Sequence, residues 1–119
     1  MRILYLEDDL SNLALIERVV QLHNDQLVTV SHPEDALTEL ESGVFDLIIT
    51  DIQLGLDVMD GLDFTAYLRD NGLETPIVSL TAYDFDEYHR RSEEAGTNYH
   101  IVKPIDIGDL MALLDEFRV

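Results

Sequence analysis

Four short apolar runs in this chain each end in residues able to do chemistry. Arg2-Ile-Leu-Tyr-Leu6 runs into Glu7-Asp8-Asp9, Phe45 to Thr50 into Asp51, Pro76 to Leu80 into Thr81, and Asn98 to Val102 into Lys103 and Pro104. If these run ends meet, Glu7, Asp8 and Asp51 crowd three carboxylates together, and like charges a few ångströms apart raise one another's pKa. A divalent cation relieves that repulsion. An all-oxygen ligand set selects a hard ion, and Mg²⁺ takes one or two carboxylates together with waters and a phosphate oxygen. Lys103 is the only lysine in the chain, so its position at a run end is not part of a scattered charged surface. Its ammonium can neutralise a carboxylate or hold a phosphoryl oxygen, and Thr81 can donate a hydrogen bond to the same group.

These residues meet only if a fold gathers the run ends on one edge. The runs read as short buried strands. Between the first two, Leu10 to about His23 repeats Leu13, Ile16 and Val20 at helical spacing. Gln26 to Val30 reads as a second strand, and Ser31-His-Pro-Glu34 has the form of a capping box opening a helix to about Glu41, stopped by Gly43. A helix from Gly61 to Asp70 is closed by Asn71-Gly72, and a polar one from Asp84 to Ala95 is ended by Gly96. The last helix, Asp106 to Phe117, carries Leu110, Leu113, Leu114 and Phe117 on one face. Five strands alternating with five helices predict an α/β chain: a single doubly wound (βα)5 domain with a five-stranded parallel sheet covered on both faces. Such sheets bind ligands beyond the C-terminal strand ends, where the strand order reverses. That is the edge carrying the acids, the threonine and the lysine.

Composition narrows the reading further. At 119 residues one domain is expected, and 46% hydrophobic residues argue for a packed core despite a net charge of −18. The chain has no cysteine, which excludes disulfides, a thiolate nucleophile and Cys-type metal sites. Its negative charge repels phosphate backbones and anionic lipid, so direct nucleic-acid and membrane binding are not expected. No run approaches the roughly 20 apolar residues of a membrane span, and no signal pattern opens the chain, so a cytoplasmic location is expected.

Leu-Tyr-Leu-Glu7-Asp8-Asp9, Ile-Ile-Thr-Asp51, Leu80-Thr81-Ala82 and Val-Lys103-Pro104 together resemble the response-regulator receiver domain of two-component signalling, over residues 1–119. The resemblance implies a flavodoxin-like strand order 2-1-3-4-5. It implies Asp51 as phosphoacceptor, taking a phosphoryl group from the phosphohistidine of a histidine kinase or histidine phosphotransfer protein, with slow autodephosphorylation. Glu7 and Asp8 match the family's acidic pair. By that match Mg²⁺ is held by Asp8, Asp51 and the backbone carbonyl of Gln53, with Glu7 acting through water; pairing Asp8 with Asp9 is the alternative. Thr81 and Lys103 complete the catalytic set, Thr81 and His100 take the switch positions, and Gln53 and Tyr83 take positions that tune phosphoryl lifetime. A phosphorylation-dependent dimer is among the arrangements the family allows. The chain reads either as a stand-alone regulator or as a receiver cut from a larger protein.

The sequence departs from that pattern in two places. Gly55 stands where the family usually has proline, in a loop to Gly61 about two residues longer than usual, and His100 stands where an aromatic is usual. Blander readings apply elsewhere. His23, His32 and His89 read as surface residues; Asp84, Asp86, Glu87, Glu93 and Glu94 as a solvated helix face; Asp57 and Asp60-Gly61 as too little of a calcium loop to bind. Rival functions fit less well. A haloacid-dehalogenase-type Mg²⁺ phosphohydrolase carries a second acid two residues after its nucleophile, where this chain has Gln53. A flavodoxin-like cofactor binder needs a phosphate loop after the first strand, which is absent. An interaction module independent of phosphorylation has no need of Asp51, Thr81 and Lys103 together.

Overall fold

The structure, a computed structural model, describes residues 1–54 and 59–118. Its elements are β1 (Arg2–Leu6), α1 (Leu10–Leu22), β2 (Gln26–Val30), α2 (Pro33–Ser42), β3 (Leu47–Asp51), α3 (Gly61–Asp70), β4 (Ile77–Thr81), α4 (Asp86–Ala95), β5 (Tyr99–Val102) and α5 (Ile107–Phe117). All strand pairs are parallel and the sheet order is β2-β1-β3-β4-β5. The expected doubly wound α/β fold with order 2-1-3-4-5 is what the chain adopts.

Alternation along each strand divides the core in two. Ile3 and Tyr5 of β1, with Leu47, Ile49, Val78 and Leu80, face α1 (Ile16, Val19, Val20) and α5 (Leu110, Leu113, Leu114). Leu4 and Leu6, with Ile48 and Ile77, face Ala36 of α2 and Phe64 and Leu68 of α3. The central strands β3 and β4 are buried at every residue, whereas the edge strands β2 and β5 are partly exposed. In α4 only Ser92 is buried, as its polar sequence predicts, and the five acids around it are exposed.

Three local expectations shift. The capping box at Ser31–Glu34 does not form: His32 is the N-cap of α2 and has no side-chain cap bond. Proline prefers the first helical position, and Pro33 there starts the helix one residue too late for Ser31 to cap it. A capping box forms instead at α3, where Asp60 accepts from Leu62 N and Asp63 N and the Asp63 side chain accepts from Asp60 N. Helix α4 begins at Asp86 rather than Asp84, because Phe85 is extended and the Asp84 carboxylate is taken by His89 Nε2 at 2.7 Å. His32 and His89 are exposed, while His23 is half-buried, its ring Nδ1 3.2 Å from Val19 O. Gly55 and Asp57 lie outside the described residues. No described helix is long and apolar enough to cross a membrane.

Candidate functional site

The parallel register lines up the strand ends. Leu6 lies beside Thr50, and Asp51 beside Leu80, so Glu7, Asp51 and Thr81 follow one another across the C-terminal edge of β1, β3 and β4. Lys103 arrives from β5: its backbone N donates to Thr81 O at 2.7 Å, and the Lys103–Pro104 peptide is cis. The ammonium lies 3.2 Å from Glu7 Oε2 and 3.3 Å from Asp51 Oδ2. A residue 96 positions along the chain from Glu7 is thereby placed between two buried carboxylates.

Glu7, Asp8 and Asp51 each offer an oxygen, and these oxygens lie within 4.8 Å of one another. Asp8 is exposed, so the group opens to solvent on one side. Glu7, 1% exposed, is held by three donors: Tyr5 OH at 3.0 Å and Lys103 Nζ on Oε2, and Asp9 N at 3.1 Å on Oε1. The Asp9 carboxylate is used elsewhere, accepting from Ser11 N as the N-cap of α1, which separates it from the acidic group. Burial, and then the Glu7 charge, push the Asp51 pKa up to about 6, while Lys103 opposes both. Burial is also the larger cause holding the Tyr5 phenol well above its ordinary range, with Glu7 adding to it.

The donor chemistry fits a hard cation. Asp51 Oδ1 is buried without a hydrogen-bond partner among the described residues, in a group whose ligand atoms are all oxygen. Gln53 lies beside it with its side chain turned to β4: Oε1 accepts from Thr81 Oγ1 at 3.0 Å and from Ala82 N at 3.4 Å. Thr81 Oγ1 in turn accepts from Tyr83 N at 3.1 Å. The Tyr83 ring points outward, 49% exposed and stacked on Phe85 at 5.7 Å. His100 lies farther along the sheet, half-buried, with Nδ1 2.9 Å from Ser79 Oγ and its ring edge-on to His89 at 4.7 Å. Burial, then the neighbouring His89, pull its pKa below the usual histidine value.

Two positioning features were not legible as such. Tyr5 reads in the sequence as one more apolar strand residue, although its hydroxyl touches Glu7. Gly61, at the start of α3, lies so close to the site that a Cβ there would sit 2.1 Å from Asp51 O. Its signal was the Asp60-Gly61 pair, which forms the cap and first residue of α3.

Comparison with known proteins places these residues in context. The response regulator receiver domain family matches residues 3–115. The chain is 36% identical over 112 residues to the response regulator protein PmrA of Pseudomonas aeruginosa, covering 94% of this chain and 50% of that protein. It is 36% identical to the swarming motility regulation protein RssB of Serratia marcescens, with coverage of 94% and 50%. It therefore spans about half the length of these curated relatives. Among solved structures, the BeF3-activated N-terminal receiver domain of Klebsiella pneumoniae RstA is 29% identical with a TM-score of 0.88 and full coverage of both chains. The receiver domain of sensor histidine kinase PA1611 from Pseudomonas aeruginosa, solved with a magnesium ion coordinated in its active site cleft, is 28% identical, with a TM-score of 0.82 and coverage of 98% and 95%.

Proposed function

The chain belongs to the response regulator receiver domain family, and from that premise we propose that Asp51 is the phosphoacceptor of a two-component phosphorelay. The donor is the phosphohistidine of a histidine kinase or a histidine phosphotransfer protein. The observation that carries this reading is the Lys103 ammonium shared between Glu7 and Asp51 at the ends of three strands, beside an Asp51 oxygen without a hydrogen-bond partner among the described residues.

Asp51 attacks the phosphorus, the P–N bond to the donor imidazole breaks, and the imidazole leaves with a proton from solvent. With a pKa of about 6, Asp51 is mostly ionised at neutral pH and needs no general base. Phosphoryl transfer through a loose transition state depends on position and on cations near the equatorial oxygens. Lys103 supplies one such charge, and Thr81 donates a hydrogen bond once its hydroxyl leaves Gln53. Mg²⁺, when bound, neutralises charge on the transferring group; Asp8, Asp51 and the backbone carbonyl of Gln53 would hold it, with Glu7 acting through water. Hydrolysis reverses the state: water attacks phosphorus, inorganic phosphate leaves and the carboxylate returns. Thr81 and His100 form the switch, whose altered surface is the output, with a phosphorylation-dependent dimer as one form of it. Residues 1–119 act as one receiver domain in the cytoplasm, with no direct contact to nucleic acid or membrane.

Incubation with acetyl phosphate tests this. Intact mass is expected to rise by one phosphoryl group only with Mg²⁺, and not at all in Asp51→Ala. Labelling of Asp51→Ala overturns Asp51 as the acceptor, and steady turnover of an external phosphomonoester overturns the reading in favour of a hydrolase. The decay of labelled protein is expected to change in Tyr83→Ala, which removes a bulky side chain two residues beyond Thr81; an unaltered decay rate removes Tyr83 from the set.

A further inference from the structure

Tyr5 is fully buried, at 0% exposure, within the core between the sheet and α1 and α5. Phenylalanine would fill nearly the same volume without a hydroxyl, and a buried hydroxyl is costly unless it is bonded. Its bond goes to Glu7 Oε2 at 3.0 Å, and Lys103 Nζ approaches the same oxygen at 3.2 Å. The ammonium is almost equidistant from Asp51 Oδ2, at 3.3 Å. Tyr5 and Glu7 are two residues apart on β1 and its extension, so both side chains project to one face and the phenol reaches along the strand toward the site.

We propose that Tyr5 is a positioning residue of this site: its hydroxyl occupies Glu7 so that the Lys103 ammonium stays shared with Asp51. This rests on the reading of Asp51 as phosphoacceptor. Glu7 Oε2 accepts two donors, one neutral and one charged, and Oε1 accepts Asp9 N. Without the phenol, the free lone pair of Oε2 is met only by Lys103, which moves toward Glu7 and away from Asp51. The Glu7 carboxylate also loses its fixed orientation, and groups that orient ligands in this way typically matter by ten-fold or more to metal affinity or activity. Tyrosine at this point in β1 thus serves the chemistry while it fills the core.

The test is Tyr5→Phe in the intact chain. Calorimetric Mg²⁺ titration without any phosphodonor is expected to show affinity weakened by about ten-fold. Phosphorylation by acetyl phosphate is expected to keep a lowered maximal rate even at saturating Mg²⁺, because Lys103 is misplaced. In a Glu7→Gln background the same substitution is expected to have little further effect on either readout. Wild-type Mg²⁺ affinity and maximal rate in Tyr5→Phe, whatever its thermal stability, overturn the proposal by leaving the hydroxyl a purely structural role. If the variant does not fold, tyrosine ring ¹³Cζ spectra of the wild type decide: the Tyr5 signal is expected to move on Mg²⁺ addition, and a stationary signal overturns the proposal. Failure of the parent reading looks different, since the wild type itself then takes up no phosphoryl group on Asp51.

Discussion

At the scale of single residues the site is a balance of charges held against burial. Asp51, raised from 3.8 to about 6 by burial first and Glu7 second, binds its proton more tightly in the folded chain than in the unfolded one. The sign follows from linkage: this group contributes stability below pH 3.8, and the contribution is lost as pH rises to about 6. At neutral pH without divalent cations the site is therefore a point of repulsion. Asp51→Asn is expected to stabilise the protein there by roughly 1–3 kcal/mol. Urea unfolding in chelator checks this, and the gap between variant and wild type should close toward pH 4. A variant no more stable than wild type at pH 7 would mean that Lys103 already cancels the repulsion.

At the scale of elements, the helices and strands at the sheet edge opposite the site are joined by side chains as well as by backbone. Arg69, at the end of α3, donates to Gly96 O at 3.0 Å, to Leu73 O and Thr75 O at 2.8 Å each, and to Asn98 Oδ1 at 3.0 Å. Asn98 Oδ1 also accepts Ile77 N, so one guanidinium ties the loops before β4 and before β5 to α3. Gly96 takes φ 99, a left-handed conformation that glycine adopts without strain, and so turns its carbonyl's loop under Arg69. Arg69→Ala is expected to cost about 2–3 kcal/mol through lost charge-assisted bonds. The urea midpoint should fall with the slope of the transition unchanged, since the folded surface is otherwise the same.

At the scale of the whole molecule, a net charge of −18 must be accommodated by a chain with few cations, and three of them, Arg91, Lys103 and Arg118, are placed where acids converge. Asp25, between α1 and β2, receives both the Met1 ammonium at 3.0 Å and the Arg118 guanidinium, so that the two ends of the chain meet on one buried carboxylate. Burial alone would raise its pKa, but Arg118 and the Met1 ammonium together hold it below the ordinary carboxylate range. A depressed pKa contributes stability above the unfolded value of 3.8, which is lost as pH falls through the lower folded value. Asp25→Asn is expected to cost about 3 kcal/mol at pH 7, with the difference from wild type shrinking below pH 4. Thermal unfolding across that range measures it.

Pattern and spacing determined much of this protein. Apolar runs of strand length alternating with helical periodicity left one α/β arrangement, and chemical residues at run ends placed Glu7, Asp8, Asp51, Thr81 and Lys103 on one edge, because a parallel sheet turns every strand end the same way. What the linear chain does not carry is distance between side chains from different strands. Asp8 and Asp9 are equivalent as letters; only the turn into α1, where Asp9 caps Ser11 N, separates them. Tyr5 counts as apolar by composition, and its bond to Glu7 exists only because β1 alternation points both to one face. The closeness of Gly61 to Asp51 O, the four bonds of Arg69 and the meeting of both chain ends on Asp25 are likewise products of three-dimensional approach. Periodicity records which way a residue faces, and tertiary structure alone records what it meets.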